Sequence, residues 1–223
     1  MWKTPVIIVN FKLYRQGSGD NAYSLLKTME KVWEERGVSL IAALNPLDLG
    51  ALRDKVNIPL IIQHADATDF GAFTGRINLE ISKERGADGV LINHSEKKLN
   101  IADIDYLVEK AKSLRLVSVV CANNSRVSGA LAFLKPNFIA MEPPELIGGN
   151  ISVSKARPEA ITETIEAVKS VADIPVLVGA GIKNREDVKR AMELGAQGVL
   201  VASGIVKARN PEDALNDLID GMM

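Results

Sequence analysis

The chain alternates from end to end between short apolar runs and longer amphipathic segments. The apolar runs are rich in Val and Ile and are almost uninterrupted by polar residues, as is typical of strands buried on both faces of a parallel sheet. The pattern therefore predicts eight strands, at residues 6–10, 39–44, 59–63, 89–93, 117–121, 138–142, 176–178 and 198–202.

The segments between these runs carry helix signals. One segment places five apolar residues on a single helical face, namely Ile101, Ile104, Leu107, Val108 and Ala111. A later segment opens with Pro158, which suits a first helical turn, and its apolar face follows at Ile161, Ile165 and Val168. In a third, Asn184 is placed to cap the helix and Gly195 to end it.

Eight strands that alternate with helices fit two α/β architectures, a closed (β/α)8 barrel and an open doubly wound sheet. The count of eight favours the barrel. We find no linker and no break in composition, so residues 1–223 are predicted to form a single (β/α)8-barrel catalytic domain. The chain is shorter than the ~250 residues typical of this fold. Loops should be short, and the irregular stretch 64–78 is the exception.

The amino-acid composition and net charge limit the kinds of binding partner and compartment that we expect for this protein. Hydrophobic residues make up 47% of the chain, charged residues 25%, and the formal net charge is −1. No global field favours nucleic acid or a membrane surface, so any recognition of an anion must be local. The lone Cys121 cannot form a disulfide within the chain, which fits a reducing compartment. We find neither a signal peptide nor a membrane span, and we expect a cytoplasmic protein.

Polar residues follow several of the predicted strands, where a barrel carries its chemistry. Strand one ends in Asn10-Phe11-Lys12, strand four in Asn93-His94-Ser95-Glu96 and strand six in Glu142-Pro143-Pro144-Glu145. Taken alone, Glu142 is compatible with a solvated carboxylate, His94 with a hydrogen-bonded core histidine, and Lys12 with a surface lysine. Together they place an acid, an imidazole and an amine on one face.

Glycine turns follow the last two strands, as Gly179-Ala180-Gly181 and Ser203-Gly204. Turns of this kind expose backbone N–H groups at a helix start, where the helix dipole favours an anion. The loops after strands seven and eight of such barrels often bind phosphate. We therefore expect proton-transfer chemistry on a small phosphorylated substrate. No metal-ligand spacing and no nucleotide-binding motif is present, so no cofactor and no metal is expected.

These motifs resemble those of triosephosphate isomerases, in order and along the whole chain. The similarity rests on Asn10-Phe11-Lys12, Asn93-His94-Ser95-Glu96 and the run from Glu142 to Gly148, and the glycine turns are similar to those of the compact archaeal branch. The resemblance implies a TIM barrel without a cofactor. It also implies interconversion of dihydroxyacetone phosphate and D-glyceraldehyde 3-phosphate through an enediolate, in glycolysis and gluconeogenesis.

The resemblance also implies roles. Glu142 would be the base that moves the proton, and His94 the electrophile beside the reacting oxygens. Lys12 would supply positive charge, Asn10 would help to hold the oxyanion, and Glu96 would be a structural carboxylate. The implied substrate-binding residues are Asn10, Lys12, Ile147, Gly148, Gly181, Ala202, Ser203 and Gly204. Residues 143–156 would form a lid over the substrate.

Further implications concern assembly and departures from the family pattern. The resemblance implies a homo-oligomer, either a dimer or a tetramer, in which 64–78 reaches a neighbour and Thr74 approaches the neighbour's site. Arg76 stands where many relatives carry an acid, which puts the usual charge pairing between subunits in doubt. In the lid, Gly148-Gly149-Asn150 replaces the usual Gly-Thr-Gly.

Two other functions are compatible with the glycine turns. One is a different phosphate-binding barrel enzyme, such as a sugar-phosphate epimerase or an isomerase of tryptophan or histidine synthesis. The other is a catalytically silent barrel that binds a phosphorylated metabolite or serves in assembly. The combination of Lys12, His94 and Glu142 argues against both. Cys121 is predicted to serve core packing, and His64 to hydrogen-bond at the start of the long loop.

Overall fold

The computed structural model describes residues 2–143 and 152–223, and the strands within them form a closed parallel barrel in chain order. The strands are β1 (Val6–Asn10), β2 (Ser39–Leu44), β3 (Leu60–Ile62), β4 (Gly89–Ile92), β5 (Val117–Ala122), β6 (Phe138–Met141), β7 (Val176–Val178) and β8 (Gly198–Val201). Val6 of β1 pairs with Ser39 on one side and with Gly198 on the other, which closes the barrel. The predicted (β/α)8 TIM barrel is therefore confirmed.

Helices cover the outside of the barrel. They are α1 (Gly19–Arg36), α2 (Pro46–Leu52), α3 (Leu79–Glu84), α4 (Ile101–Ser113), α5 (Ser125–Ala132), α6 (Val153–Ala156), α7 (Pro158–Lys169), α8 (Arg185–Glu193), α9 (Ser203–Val206) and α10 (Pro211–Asp220). Two short 3-10 turns lie at Arg15–Gly17 and Arg53–Lys55. No helix in the described part of the chain has the length and apolarity needed to cross a membrane.

The barrel wall separates two apolar layers, which explains why the strands read as continuous apolar runs. Along β1, Val6 and Ile8 point into the barrel interior, whereas Ile7 and Val9 face the surrounding helices. The other strands alternate in the same way. Both layers are almost fully buried, so the strands carry few polar residues before their carboxyl ends, and the buried Ser118 of β5 is hydrogen-bonded to Asn137.

The predicted strand boundaries are wrong by one residue at several ends. β3, β4, β6 and β8 stop one residue earlier than predicted, β3 also begins one residue later, and β5 runs on to Ala122. At β4 the reason is local, because Asn93 adopts a left-handed backbone with φ 62°. Its side chain then donates to the Cys121 carbonyl at 3.0 Å and accepts from the Leu99 N–H at 3.0 Å.

The helix signals are largely confirmed. Ile104, Leu107, Val108 and Ala111 of α4 are buried, but Ile101 is 60% exposed, because it is the first residue after the cap and precedes the turn that contacts the barrel. In the other two segments, Pro158 begins α7, the Asn184 side chain accepts from the Asp187 N–H, and Gly195 has a φ of 98° after α8. Among the helices that the structure describes, six are capped in this way by asparagine side chains, namely Asn45, Asn78, Asn100, Asn124, Asn184 and Asn210.

Candidate active site

The carboxyl ends of β1, β4 and β6 bring together the acid, the imidazole and the amine. Glu142 Oε2 lies 3.3 Å from His94 Nε2. Lys12 Nζ lies 2.8 Å from Glu96 Oε1, and His94 Nδ1 is 3.6 Å from Glu96 Oε2. The four side chains thus form one continuous cluster at the rim of the barrel.

Glu142 is an ionisable group in an almost fully buried position, with 6% of its surface exposed. Burial raises its pKa above the ordinary value, and the neighbouring His94 and Lys12 side chains offset only part of that effect. A carboxylate that is desolvated in this way is a stronger base than one in water. The position therefore suits a group that removes a proton from carbon.

The tautomer of His94 follows from its hydrogen bond. Nδ1 accepts the Glu96 backbone N–H at 3.2 Å, so this nitrogen carries no proton and the proton of the neutral ring lies on Nε2. Within residues 2–143 and 152–223, neither His94 Nε2 nor Glu142 Oε2 has a hydrogen-bond partner. Buried polar atoms without partners are uncommon and call for an explanation. Here the donor His94 Nε2–H and the acceptor Glu142 Oε2 lie side by side, so that a ligand carrying both an acceptor and a donor can satisfy both atoms.

Lys12 is held in a strained backbone conformation. Its φ is 49°, a left-handed value that is uncommon for a residue with a side chain. Asn10 Oδ1 accepts the Lys12 N–H at 3.0 Å, and Gln63 Nε2 donates to the Lys12 carbonyl at 3.1 Å. Asn10 is itself buried. The family resemblance implies that Asn10 helps to hold the oxyanion, and in the structure its side chain fixes the backbone of Lys12.

A pocket joins this cluster to the glycine turns after β7 and β8. Its lining residues are Asn10, Lys12, Tyr14, Glu142, Ala180, Gly181, Ile182, Lys183, Leu200, Val201, Ala202, Ser203 and Gly204. Ala180 and Gly181 both have positive φ, 69° and 75°, and Ser203 and Gly204 begin α9. The N–H groups of a first helical turn have no acceptor within the helix. Every predicted substrate-binding residue that the structure describes therefore lines one pocket.

Some predictions cannot be located. Ile147 and Gly148, the Gly149-Asn150 departure and most of the predicted lid lie in 144–151, outside the described residues.

Sequence reasoning missed the close neighbours of Glu142. The thiol of Cys121 is buried, as predicted, but it also lies close enough to the Glu142 carboxylate for the two groups to interact electrostatically. Burial, and then the charge of Glu142, raise the pKa of this thiol well above its usual range, so that it stays protonated. From the sequence, Gly179 is predicted only to be part of an anion-binding turn. A Cβ at that position would lie 2.5 Å from Glu142 Cγ.

Tyr14 and Lys183 also line the pocket and were not predicted. The ammonium group of Lys207 lies 3.9 Å from the centroid of the Tyr14 ring, which adds a cation–π contact beside the site. No short motif marks either residue in the sequence. Across the described residues, no group of three or more His, Cys, Asp or Glu side chains is arranged to hold a metal ion.

Comparison with known proteins agrees with the geometry. A model of the triosephosphate isomerase family matches residues 5–221. The chain is 50% identical over 219 residues to the triosephosphate isomerase of Methanothermus fervidus, covering 98% of this chain and 99% of that protein. It is 48% identical over 217 residues to that of Methanothermobacter thermautotrophicus, covering 97% and 95%. With the Archaeoglobus fulgidus protein the identity is 46% over 220 residues, covering 98% and 99%. The chain belongs to the triosephosphate isomerase family.

Proposed function

We propose that this chain interconverts dihydroxyacetone phosphate and D-glyceraldehyde 3-phosphate at the cluster of Glu142, His94 and Lys12. The observation that carries the proposal is the pair formed by Glu142 Oε2 and His94 Nε2, 3.3 Å apart and buried. A base and a hydrogen-bond donor at this separation can act on adjacent atoms of one small substrate.

The proton transfer divides between the two groups. Glu142 removes a proton from the carbon next to the carbonyl, and the C–H electron pair becomes the C=C bond of an enediolate. Negative charge develops on the former carbonyl oxygen, where the His94 Nε2–H donates and the charge of Lys12 attracts. A second proton passes from the hydroxyl oxygen to the former carbonyl oxygen by way of His94 Nε2, which gives up one proton and takes back another. Glu142 then returns its proton to the neighbouring carbon, the former hydroxyl oxygen becomes the carbonyl oxygen, and the carboxylate is restored.

The phosphate group would bind at the other end of the pocket. The N–H groups of Gly181, Ser203 and Gly204 are the candidate donors there, and Ala202 occupies the cap position before Ser203. Donors at a helix start suit an anion because the dipole adds to the hydrogen bonds. Ile147 and Gly148 remain predictions for the same phosphate.

The family also supports a homo-oligomer formed through 64–78. This loop folds on its own chain, because the Asp66 carboxylate accepts the Ile77 N–H at 2.7 Å and pairs with Arg76 at 2.9 Å. Arg76 is thus already paired within its chain, which agrees with the expectation that the usual pairing between subunits is altered. The loop leaves Phe70 60% and Phe73 49% exposed.

A groove beside the active site offers a place for such a loop from a neighbour. It measures about 540 Å³ and borders the catalytic cluster at Lys12, His94 and Glu96. Leu13, which is 78% exposed, also lines this groove. A neighbour's loop in this groove would bring Thr74 close to Lys12. We also propose a cytoplasmic location, in keeping with the free, buried Cys121.

A coupled assay of glyceraldehyde 3-phosphate conversion to dihydroxyacetone phosphate tests the activity, run with and without EDTA. We expect rapid turnover that EDTA does not slow, because a carboxylate and an imidazole perform the chemistry. Calorimetry with inorganic phosphate serves as the companion measurement. A folded protein that binds phosphate without turnover would contradict the proposal and favour a silent binder or another barrel enzyme.

A further inference from the structure

Asp187, in the first turn of α8, collects hydrogen bonds from two separate segments. Its side chain is buried, with 3% of the residue exposed. Oδ1 accepts from Ser152 Oγ at 2.8 Å and pairs with Lys155 Nζ at 2.7 Å. Oδ2 accepts the Lys183 N–H at 3.0 Å, and the Asp187 carbonyl accepts from Ser154 Oγ at 3.0 Å. Four donors therefore converge on one residue that no sequence motif marks.

The two segments have different positions relative to the pocket. Residues 152–155 are the described end of the stretch that the family resemblance implies as a lid. Lys183 belongs to the loop after β7, which carries Gly181 into the pocket. The Val153 N–H also donates to the Ala180 carbonyl at 3.2 Å. Asp187 and this backbone bond thus fasten the two segments to each other.

The loop after β7 needs such restraint. Ala180 and Gly181 are consecutive residues with positive φ, a conformation that an alanine adopts only against steric resistance. The bond from Val153 lies at the first of these residues, and the bond to Asp187 follows two residues after the second. Together they fix the loop on both sides of Gly181.

The chemistry of the cluster requires a carboxylate. Both oxygens of Asp187 act as acceptors, whereas an asparagine would turn an NH2 group toward one set of donors and leave buried donors unpaired. Burial by itself raises the pKa of Asp187, but the hydrogen bonds from Lys155, Ser152 and Lys183 outweigh it and leave the pKa below the ordinary value. Asp187 is therefore ionised throughout the neutral range.

We propose that Asp187 is a positioning residue for the phosphate end of the active site: it holds 152–155 and the loop around Gly181 in one arrangement, and so keeps the Gly181 N–H directed at the substrate phosphate. The inference rests on the proposed role of Gly181 in binding phosphate. Asp187 does not line the pocket, so it acts through the loop and not by touching the substrate.

The test compares Asp187→Asn with Asp217→Asn. The Asp217 carboxylate accepts the Arg185 N–H at 2.9 Å and pairs with the Arg185 guanidinium at 2.8 Å. Asp217 thus also holds the start of α8 with a carboxylate, but among the described residues its hydrogen bonds and ion pair go to Arg185 and not to 152–155. Both variants are measured for kcat, KM, the Kd of inorganic phosphate by calorimetry, and thermal stability, all at neutral pH.

We expect Asp187→Asn to raise the KM and the Kd of phosphate about tenfold, the size of effect that loss of a charged hydrogen bond produces. The kcat should fall by a smaller factor, because Glu142 and His94 stay in place. Asp217→Asn should lower thermal stability and change the KM and the Kd less than twofold. Ser152→Ala provides a second, milder variant, and should shift the same two constants in the same direction.

Wild-type KM and phosphate Kd in both Asp187→Asn and Ser152→Ala would overturn the positioning role. If Asp187→Asn does not fold, Ser152→Ala decides alone. Equal changes in the Asp187 and Asp217 variants would also overturn it, because they would indicate only a general effect of loosening α8. A wild-type enzyme that turns over substrate but binds no phosphate would refute the phosphate site itself, and with it this inference.

Discussion

Glu142 combines two properties that oppose each other, an ionisable group and nearly complete burial. Its pKa lies above the ordinary 4.5 because the charged form is poorly solvated. A raised pKa means that the folded protein favours the protonated acid, so the ionised base is lost at a higher pH than for an exposed glutamate. Activity that depends on the carboxylate should therefore decline early on the acid side.

We predict that kcat/KM falls on acidification with an inflection above pH 4.5, the ordinary pKa of the group. The measurement is kcat/KM of the wild type across the acid range, since this ratio reports groups of the free enzyme. Circular dichroism over the same range separates titration from unfolding. An inflection at or below 4.5 in a protein that stays folded would contradict the assigned environment of Glu142.

Gly179 makes room for that carboxylate. A Cβ there would lie 2.5 Å from Glu142 Cγ and 2.7 Å from Oε1. We predict that Gly179→Ala displaces Glu142 and lowers kcat by about 10²-fold, the typical effect of a shift near 1 Å in a catalytic group.

Gly50→Ala is the matched control. Its Cβ in α2 would meet only Arg85 Cδ, at 3.8 Å. The control should keep the wild-type kcat. A Gly179→Ala variant with wild-type kcat would show that Glu142 has more freedom than the structure gives it.

For single residues, a position directly after a predicted strand indicated which residues gather at the rim of the barrel, because parallel strands of a barrel end on one face. It could not predict which side chains touch. The contact between Cys121 and Glu142 depends on the side-chain directions of neighbouring strands, and the Asp187 cluster joins residues up to 35 positions apart. Neither relation leaves a periodic or local signal.

Asparagine N-caps recur among the described helices, but the sequence predicted only the one at Asn184. Asn184 was predicted as a cap, yet asparagine caps five other helices by the same hydrogen bond. The signal was present at each, as an asparagine just before an amphipathic segment. Strand ends were less predictable, because β4 stops where Asn93 turns left-handed, and a backbone dihedral angle is not visible in a hydrophobic pattern.

We predict that Asn100→Ala lowers the free energy of unfolding by about 1 kcal/mol, because the Asp103 N–H loses its acceptor at the start of α4. Asn100→Ser, which keeps a capping oxygen, should lose much less. Urea unfolding at one fixed protein concentration measures both, since stability of an oligomer depends on concentration. Equal stability of the alanine and serine variants would argue against the cap.

Over the whole molecule, the count of eight strands favoured a closed barrel, and the structure adds the contacts that join the two ends of the chain. Arg36 of α1 pairs with Asp220 of α10 at 2.6 Å, and Lys31 pairs with Glu212 at 2.7 Å. The sequence does not predict in the same way which surface joins the subunits, because it does not distinguish an exposed phenylalanine from a buried one.

We predict that light scattering gives at least twice the mass of one chain, and that Phe73→Glu shifts the protein toward the monomer with loss of activity. A charge at this apolar tip should oppose burial against a neighbour. Met223→Glu is the control, because this residue is 82% exposed and its sulfur contacts Arg36 of α1. A stable, fully active wild-type monomer would refute the proposed assembly.

The most direct test of the account is the kcat of Glu142→Gln in the coupled triose phosphate assay. The amide keeps the size of the side chain and removes only the base, so the barrel and phosphate binding should be retained. We predict a loss of kcat on the order of 10²–10⁴-fold, as expected when a positioned general base is removed. Turnover close to that of the wild type would show that Glu142 does not carry the proton, and would contradict the mechanism at its centre.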